Sequence, residues 1–416
     1  MSTQDDQDIR DLIACPVCAR LQPMADAGPG NSCRCTCCGH TLHSHHRNWL
    51  STSMALVLTG VILFIVSMSM PFLSIGAVGQ VHTTTLLTGV YLLLEQQHFL
   101  LSAIVFVTIF LFPLFELLLF CFVLGSASIG RRTRLFRVAL RLLEQIRPWN
   151  MLEIFMLGVI VTSVKVGDLA DLVPGTGLYS FAVLVVVLVA VQARMNHKRL
   201  WRWYKAENYF KDSNSDALVS CGVCHALVGE SIWRRDPHCP RCHGKIERRI
   251  PRSLEKTTAL LVAAVILYIP ANVLPIMHVS RLGTSEAKTI FGGAVELAQS
   301  GAWFIALVVF VASILVPIAK MIVMTYLVWS TKHSVPHSHK LRAMIFHVTE
   351  FIGRWSMVDV YVVTLTVAMV QFGILMNVQS GGAIVAFAAV VILTMLAAET
   401  FDPRLLWTGK DDQPRA

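Results

Sequence analysis

Charged residues are scarce in this sequence. They make up 15% of the 416 residues, whereas ordinary soluble domains carry about 25%. Hydrophobic residues reach 55%, the mean hydropathy is +0.60, and several runs supply the roughly 20 apolar residues that a bilayer-spanning helix needs. This composition excludes an ordinary soluble domain and predicts a mainly α, polytopic membrane protein.

Motifs for nucleotide hydrolysis and for common hydrolytic chemistry are also missing. The sequence contains no G-x-x-x-x-G-K-[ST] loop to cradle ATP phosphates and no H-E-x-x-H zinc motif. No Ser/His/Asp triad can be placed. We therefore expect a protein that is neither an enzyme nor an ATPase, so that any work it does draws on a partner, a gradient or a downhill ligand.

Lysine and arginine are absent from three connections between predicted spans, 72–98, 169–177 and 377–381. Basic residues gather instead in 131–148, in 197–256 and around 332–354. Because basic loops stay in the cytoplasm, we predict that both termini and the long middle segment are cytoplasmic. This orientation signal explains the basic excess without a nucleic-acid partner. The predicted spans are about 50–71, 99–124, 150–168, 178–195, 257–277, 302–329, 355–376 and 382–399.

The chain repeats itself with an offset of about 205 residues. FPLFELLLF (112–120) matches VPIAKMIVM (316–324), and PWNMLEIF (148–155) matches RWSMVDVY (354–361). Each repeat has a cysteine module followed by four spans, and an even number of spans gives both repeats the same topology, a tandem parallel repeat. The predicted domains are two cytoplasmic zinc ribbons, 1–48 and 215–250, and two four-helix transmembrane domains, 49–198 and 251–409.

The segments after spans one and five are predicted to be extended before they become helical. FLSIGAVGQVHTTT (72–85) has alternating and β-branched residues around two glycines, a pattern typical of a short hairpin, here extracytoplasmic. The apolar LLTGVYLLL (86–94) that follows is predicted to be an amphipathic helix at the outer surface, or simply a cap on the bundle.

Eight of the eleven cysteines occur as C-x2-C pairs, two pairs in each repeat. Two such pairs offer four thiolates in tetrahedral arrangement, which suits structural zinc, and the reducing cytoplasm disfavours disulfides. We predict two structural zinc sites, each in a module that braces or docks at the membrane surface. The predicted ligands are Cys15, Cys18, Cys35 and Cys38 in the first site and Cys221, Cys224, Cys239 and Cys242 in the second. Cys33 or Cys37 can substitute in the first set, and a redox role for this spare pair is an alternative.

Ionisable residues fall inside or at the ends of four predicted spans. They are Glu116, Glu153, Lys165, Asp168, Lys320 and Asp359. A charge at the bilayer centre costs about 2.5–3.5 kcal/mol on insertion scales, so such residues face a bundle interior or a water-filled cavity. We predict that Lys320 pairs with Asp359, and that the other four form a polar network in the first transmembrane domain. The alternative is that these charges only hold the helices in register.

The sequence resembles the paraquat-inducible protein A family over nearly its whole length. The tandem C-x2-C pairs carry the resemblance together with YIPANVLPIM (268–277), ILVPIAKMI (314–322), GRWSMVDV (353–360) and TFDPRLLW (400–407). The resemblance implies a multi-pass protein of the bacterial inner membrane whose partner is a protein with mammalian-cell-entry (MCE) domains, which forms a lipid tunnel across the periplasm. It also implies rubredoxin-like zinc ribbons and four-helix domains similar to claudin-type proteins, each with an extracytoplasmic sheet.

The function expected from this resemblance is transfer of phospholipid or another lipophile between the inner membrane and the MCE tunnel. Lys320, with Asp359 as its charge partner, would bind the lipid phosphate in a cavity of the second transmembrane domain. The first-domain network of Glu116, Glu153, Lys165 and Asp168 would accompany it, with coupling to protons as one option. The rival hypothesis is a non-transporting scaffold or stress-response protein whose zinc ribbons recruit a partner.

Overall fold

The computed structural model describes residues 12–407 except for short gaps. The gaps are 16, 19, 24–31, 40, 45–48, 78–79, 96–98, 168–170, 196, 206–217, 248, 282–283, 300, 302, 334–338, 356–357, 359–360, 363–364 and 366–375. Within the described residues, six helices are long and apolar enough to cross a membrane. They match six of the eight predicted spans. The third span is described as a helix of 16 residues, and most of the seventh lies outside the described residues.

The chain is built from a small β module and a membrane-spanning half, each occurring twice. The first ribbon (12–44) contains β1 (Leu12–Ala14), β2 (Leu21–Pro23), β3 (Ser32–Arg34) and β4 (Thr41–Ser44). The first half (49–204) contains α1 (Trp49–Ser69), β5 (Leu73–Ala77), β6 (Gln80–Thr84), α2 (Leu86–Glu95), α3 (Phe99–Phe106), the π-helical turn Val107–Leu111, α4 (Phe112–Ile129), α5 (Arg134–Ile146), the 3-10 turn Arg147–Trp149, α6 (Leu152–Gly167), β7 (Asp171–Pro174), α7 (Thr176–Arg194) and α8 (His197–Tyr204).

The second copy follows the same order. The second ribbon (218–246) contains β8 (Leu218–Ser220), β9 (Leu227–Gly229) and α9 (Glu230–Arg235). The second half (253–407) contains α10 (Ser253–Val273), β10 (Met277–Arg281), β11 (Thr284–Lys288), α11 (Ile290–Gln299), α12 (Trp303–Phe310), the π-helical turn Val311–Leu315, α13 (Val316–His333), α14 (His339–Trp355), β12 (Met376–Ser380), α15 (Ala383–Thr400) and the 3-10 turn Pro403–Trp407. The predicted fold class, a mainly α tandem repeat with small antiparallel sheets, is confirmed.

Each half carries a three-stranded antiparallel sheet at the end of its helix bundle that is farthest from the ribbons. This end is here called the sheet side, and the opposite end is called the ribbon side. The predicted hairpins are present as β5–β6 and β10–β11. A third strand completes each sheet, because β7 pairs with β5 and β12 pairs with β10. These third strands were not predicted from the sequence. The 21 residues of α1 span about 31 Å at 1.5 Å per residue, so the ribbon side and the sheet side lie on opposite faces of a bilayer.

A glycine in each half allows the last helix to begin directly against the end of the first helix. A Cβ on Gly175 would lie 2.1 Å from the carbonyl oxygen of Pro71, and a Cβ on Gly381 would lie 2.1 Å from that of Pro275. Backbone hydrogen bonds fix the same junction, since the amide of Gly381 donates to the carbonyl of Ile276 at 2.8 Å. Only glycine fits between two backbones this close.

The π-helical turns occupy equivalent positions in the two halves and lie immediately before a proline. Val107–Leu111 precedes Pro113, and Val311–Leu315 precedes Pro317. Proline lacks an N–H and clashes with the carbonyl four residues earlier, and the wider π turn accommodates both effects. Such turns recur at functional sites, and here Glu116 and Lys320 follow one turn later.

The two halves contact each other where α6 crosses a segment of the second half, of which residues 358, 361 and 362 are described. The ring of Phe155 packs edge-on against the ring of Tyr361, with centroids 5.4 Å apart. Gly158 allows the close approach, because a Cβ there would lie 3.0 Å from the Cβ of Tyr361. Small residues at helix crossings are typical of membrane bundles, where packing rather than the hydrophobic effect drives association.

Each ribbon packs on the membrane half that does not directly follow it in the chain. The first ribbon packs on the second half, and the second ribbon packs on the first half. In the first ribbon, Ile13 and Cys15 share a buried cluster with Ala343 of α14, and Trp407 packs against it. The second ribbon shares a large buried cluster with Phe136 of α5 and other residues of the first half, and this cluster continues into the second half through residues such as Phe387. Burial lowers the pKa of His243 in this ribbon, and the nearby charge of Arg137 on α5 lowers it further. The buried cluster at the ribbon end of the second half is a separate one.

Replacing Gly381 by alanine is expected to destabilise the protein. The new methyl group would overlap a backbone oxygen, and overpacking of this kind costs about 1–3 kcal/mol. Thermal unfolding of the purified protein in detergent measures the effect as a lower Tm. Gly382→Ala is the matched control, since Gly382 has φ −64° and no atom within 4 Å of its Cβ position. Equal Tm values for the two variants would contradict the close contact at Gly381.

Candidate functional site

The cysteine pairs converge into two clusters of four sulfur atoms. Cys15, Cys18, Cys35 and Cys38 form one cluster, and Cys221, Cys224, Cys239 and Cys242 form the other, with all ligand atoms within 4.8 Å of one another. The closest sulfur pairs are 3.5–3.6 Å apart. A disulfide needs about 2.05 Å, whereas a tetrahedral metal with bonds of about 2.3 Å to sulfur separates its ligands by about 3.8 Å. Each cluster therefore fits one tetrahedral metal ion.

Local backbone geometry aims the four thiols inward. The second cysteine pair of each ribbon is followed by a left-handed residue, Gly39 with φ +74° and His243 with φ +55°. These residues turn the chain tightly after Cys38 and Cys242. Burial raises the pKa of Cys35, but the backbone N–H groups of Cys38 and Cys37 outweigh it, and the pKa is lowered to about 7. Thiolate is the metal-binding form. Cys33 and Cys37 lie outside the four-sulfur cluster among the described residues.

A polar cavity of about 440 Å³ lies between the two membrane halves. Both halves contribute charged or amide side chains to it. They are Arg147, Asn150, Glu153 and Gln192 from the first half and Lys320 and Glu399 from the second. Gln192 and Glu399 are within two residues of the ends of α7 and α15, so the cavity lies toward the ribbon side of the membrane.

Glu116 lies behind this cavity and is almost fully buried, with 1% of its surface exposed. Its carboxylate accepts a hydrogen bond from Asn150 Nδ2 and another from Gln192 Nε2, the latter at 3.0 Å. A buried carboxylate is tolerated in a membrane protein when it is hydrogen-bonded in this way. The two amides tie α4, α7 and the start of α6 together, and they form part of the cavity wall.

Lys320 is 4% exposed and reaches the cavity because the neighbouring residue is a glycine. A Cβ on Gly353 would lie 2.5 Å from Lys320 Nζ and 2.7 Å from Cε. Lys320 was predicted to lie in a cavity of the second half, and the cavity that it lines is shared by both halves. Its predicted partner, Asp359, lies outside the described residues, and the pairing stays a prediction.

The predicted first-half network is only partly assembled around the cavity. Glu153 lines it, and Glu116 supports it through Asn150 and Gln192. Lys165 is 12 residues beyond Glu153 on α6, which places its backbone about 18 Å farther toward the sheet side. Asp168 lies outside the described residues, so the interaction of Lys165 with Asp168 also stays a prediction.

Several cavity residues were not predicted from the sequence. Arg147 and Asn150 flank a span and look like ordinary surface residues, and Glu399 lies at the end of α15. Gln192 was the easiest of these residues to predict, because it is a polar residue directly after the apolar run AVLVVVLVAV (182–191).

A second cavity, of about 240 Å³, adjoins the polar one and has only apolar surface. It lies between the π-helical turn of the first half and α15. Its walls include Ile104, Val107 and Ile392. Met151 and Met395 line both cavities. The two cavities therefore share a wall, with the polar cavity toward the ribbon side and the apolar cavity toward the bilayer centre.

Known proteins match this chain over nearly its full length. The family profile described as Paraquat-inducible protein A matches residues 50–205 and 254–410. The chain is 31% identical over 411 residues to the Escherichia coli K12 protein named "Intermembrane transport protein PqiA", covering 97% of this chain and 96% of that protein.

Two further relatives show the same extent of similarity. The E. coli K12 protein named "Lipophilic envelope-spanning tunnel protein A" is 32% identical over 403 residues, covering 96% of this chain and 92% of that protein. A Haemophilus influenzae protein named "Probable intermembrane transport protein" is 28% identical over 398 residues, covering 94% of each chain. No solved structure matches significantly. The two profile matches cover both membrane halves, and the chain therefore belongs to the paraquat-inducible protein A family.

Proposed function

We propose that this protein is the inner-membrane component of an envelope-spanning lipid transport system. In this proposal it loads phospholipid, or another lipophile, into an MCE-domain protein that spans the periplasm, or unloads it from that protein. The ribbons and both termini are cytoplasmic, and the sheets face the periplasmic partner. The protein acts without a catalytic step. The names of the relatives, intermembrane transport and envelope-spanning tunnel, support this assignment.

The pair of adjoining cavities carries the proposal. A phospholipid has a charged head and apolar tails, and the site offers charged side chains next to a wholly apolar volume. Binding sites usually combine mostly apolar walls with a few placed polar groups. Lys320 is the residue assigned to the phosphate, since a lysine ammonium is a compact cation suited to a single phosphate oxygen.

Zinc is the metal proposed for the two cysteine clusters. Four thiolates and no open position are typical of structural zinc. Modules of this size cannot build a core without the ion, because metal binding supplies their folding free energy. The ribbons would therefore serve as zinc-stabilised braces, each holding the membrane half on which it packs.

Photocrosslinking in living cells tests the lipid site. A photocrosslinking amino acid at Leu157, a residue of the polar cavity, should capture lipid labelled with radioactive phosphate. The signal is expected to fall severalfold in Lys320→Met, because the phosphate loses a charge contact of about 1.5–3 kcal/mol. Gly353→Ala should also reduce it, since the new Cβ displaces the Lys320 side chain without removing its charge.

The control for this experiment is a crosslinker at Ile266, which is 63% exposed on α10. This position should capture membrane lipid equally in the otherwise wild-type chain and in the chain that also carries Lys320→Met. Labelling at Ile266 without labelling at Leu157, in a well-expressed protein, would refute the lipid site and support the scaffold hypothesis.

Removing one metal site at a time tests which membrane half each ribbon packs on. Cys15→Ser with Cys18→Ser should reduce the zinc content by half and increase hydrogen exchange in α14. Cys221→Ser with Cys224→Ser should instead increase exchange in α5, because the second ribbon packs on the first half. Mass spectrometry of hydrogen exchange on the purified protein measures both. The exchanged arrangement would be contradicted if each pair of substitutions increased hydrogen exchange in the membrane half that directly follows the substituted ribbon in the chain.

A further inference from the structure

We propose that the shared cavity selects a zwitterionic phospholipid with a primary ammonium group, taken from the ribbon-side leaflet. The inference rests on the proposed lipid transport and deepens it by naming the head-group class and the leaflet. Neither the family profile nor the relatives' names specify either property.

The charges of the cavity balance each other. Among the described residues, the cavity is lined by two cations, Arg147 and Lys320, and by two carboxylates, Glu153 and Glu399. A head group with one negative and one positive charge complements both signs. An anionic head group would leave carboxylates facing further negative charge, and like-charge contacts of this kind select against a ligand.

The positions of the two signs also suit such a head group. Lys320 is buried, whereas the exposed charged residues of the cavity are Arg147 and the two carboxylates, Glu153 and Glu399, so its exposed part carries more negative than positive side chains. In a zwitterionic phospholipid the phosphate lies next to the glycerol and the ammonium lies at the free end. The buried cation therefore meets the inner phosphate, and the exposed carboxylates meet the terminal ammonium.

The apolar cavity fixes the direction in which the lipid tail would run. The apolar cavity is lined from Ala103 to Phe112 along α3 and α4. These residues precede Glu116 by 13 and 4 positions, which places them about 20 Å and about 6 Å farther toward the sheet side. A lipid with its head in the polar cavity thus has its tail toward the bilayer centre, the orientation of lipids in the ribbon-side leaflet.

The acceptor chemistry favours a primary ammonium over a quaternary one. Glu153 and Glu399 accept hydrogen bonds, and a primary ammonium donates three. A quaternary ammonium donates none and is recognised by aromatic cages. Among the described residues of the polar cavity, Phe351 is the one aromatic side chain.

Competition between lipids with identical acyl chains tests the inference. The zinc-loaded full-length protein in mixed micelles is given equal amounts of phosphatidylethanolamine and phosphatidylglycerol, and native mass spectrometry counts the lipids retained. The wild type should retain phosphatidylethanolamine about tenfold over phosphatidylglycerol, equivalent to about 1.4 kcal/mol. Glu153→Gln with Glu399→Gln should reduce the ratio to about 1 or reverse it.

The matched control replaces two exposed carboxylates outside the cavity, Glu255→Gln with Glu296→Gln, and should keep the wild-type ratio. Equal retention of the two lipids by the wild type, or a preference for phosphatidylglycerol, would overturn the zwitterion proposal and leave lipid transport standing. Phosphatidylcholine competing as well as phosphatidylethanolamine would overturn the primary-ammonium part. No retained lipid in any variant would instead count against the proposed function itself.

Discussion

A buried cation in the membrane is the constraint that best accounts for how the two halves are arranged. Lys320 has 4% of its surface exposed, and an isolated charge at such a position costs several kcal/mol. The cavity at the boundary between the halves supplies polar groups from both sides. The tandem repeat thus provides a site that neither copy contains alone.

The ribbons reinforce the same boundary. Each ribbon is linked to one half through the chain and packs on the other half through its buried residues. Separating the halves would therefore require undocking a ribbon, in addition to breaking the contacts of Phe155 and Gly158 with Tyr361. The helix α14 joins the two regions directly, because Ala343 packs against the first ribbon and Gly353 lies against Lys320. A structural metal site can in this way hold a residue of the cavity in place.

Local patterns predicted the parts of this structure, whereas its non-local pairings were not predictable. The spacing of Cys15-x-x-Cys18 and Cys35-x-x-Cys38 predicted a cluster of four thiols, and their sulfur atoms do converge. The β5–β6 hairpin likewise follows from alternation around two glycines. The third strands β7 and β12 are four or five residues long and pair with strands about 100 residues earlier, so short-range pattern cannot reveal them. The amphipathic helix α5 could have been predicted from the sequence, because its buried residues recur at helical spacing. These residues are Phe136, Ala139, Leu140 and Leu143.

The cavity residues show the same division between local and non-local information. Glu116 and Lys320 could be identified because a charge in an apolar run is conspicuous within its own span. Arg147, Asn150 and Glu399 became part of a site only through the packing of one half on the other. Which face of a helix meets its partner depends on crossing geometry, and here small residues such as Gly158 determine that geometry.

The repeats have diverged at the cavity while keeping the same scaffold. The π-helical turns, Pro113 and Pro317, and the close-packed Gly175 and Gly381 are the same in both halves. At equivalent positions in or next to the cavity the chemistry differs, since Glu116 corresponds to Lys320 and Arg147 corresponds to Gly353.

A change of sign between equivalent positions gives the two halves unlike charges beside the cavity that they share. It also makes the two ends of the cavity different, so that a ligand with two unlike ends can bind in one orientation. Gly353 completes the change, because a side chain there would occupy the space that Lys320 needs.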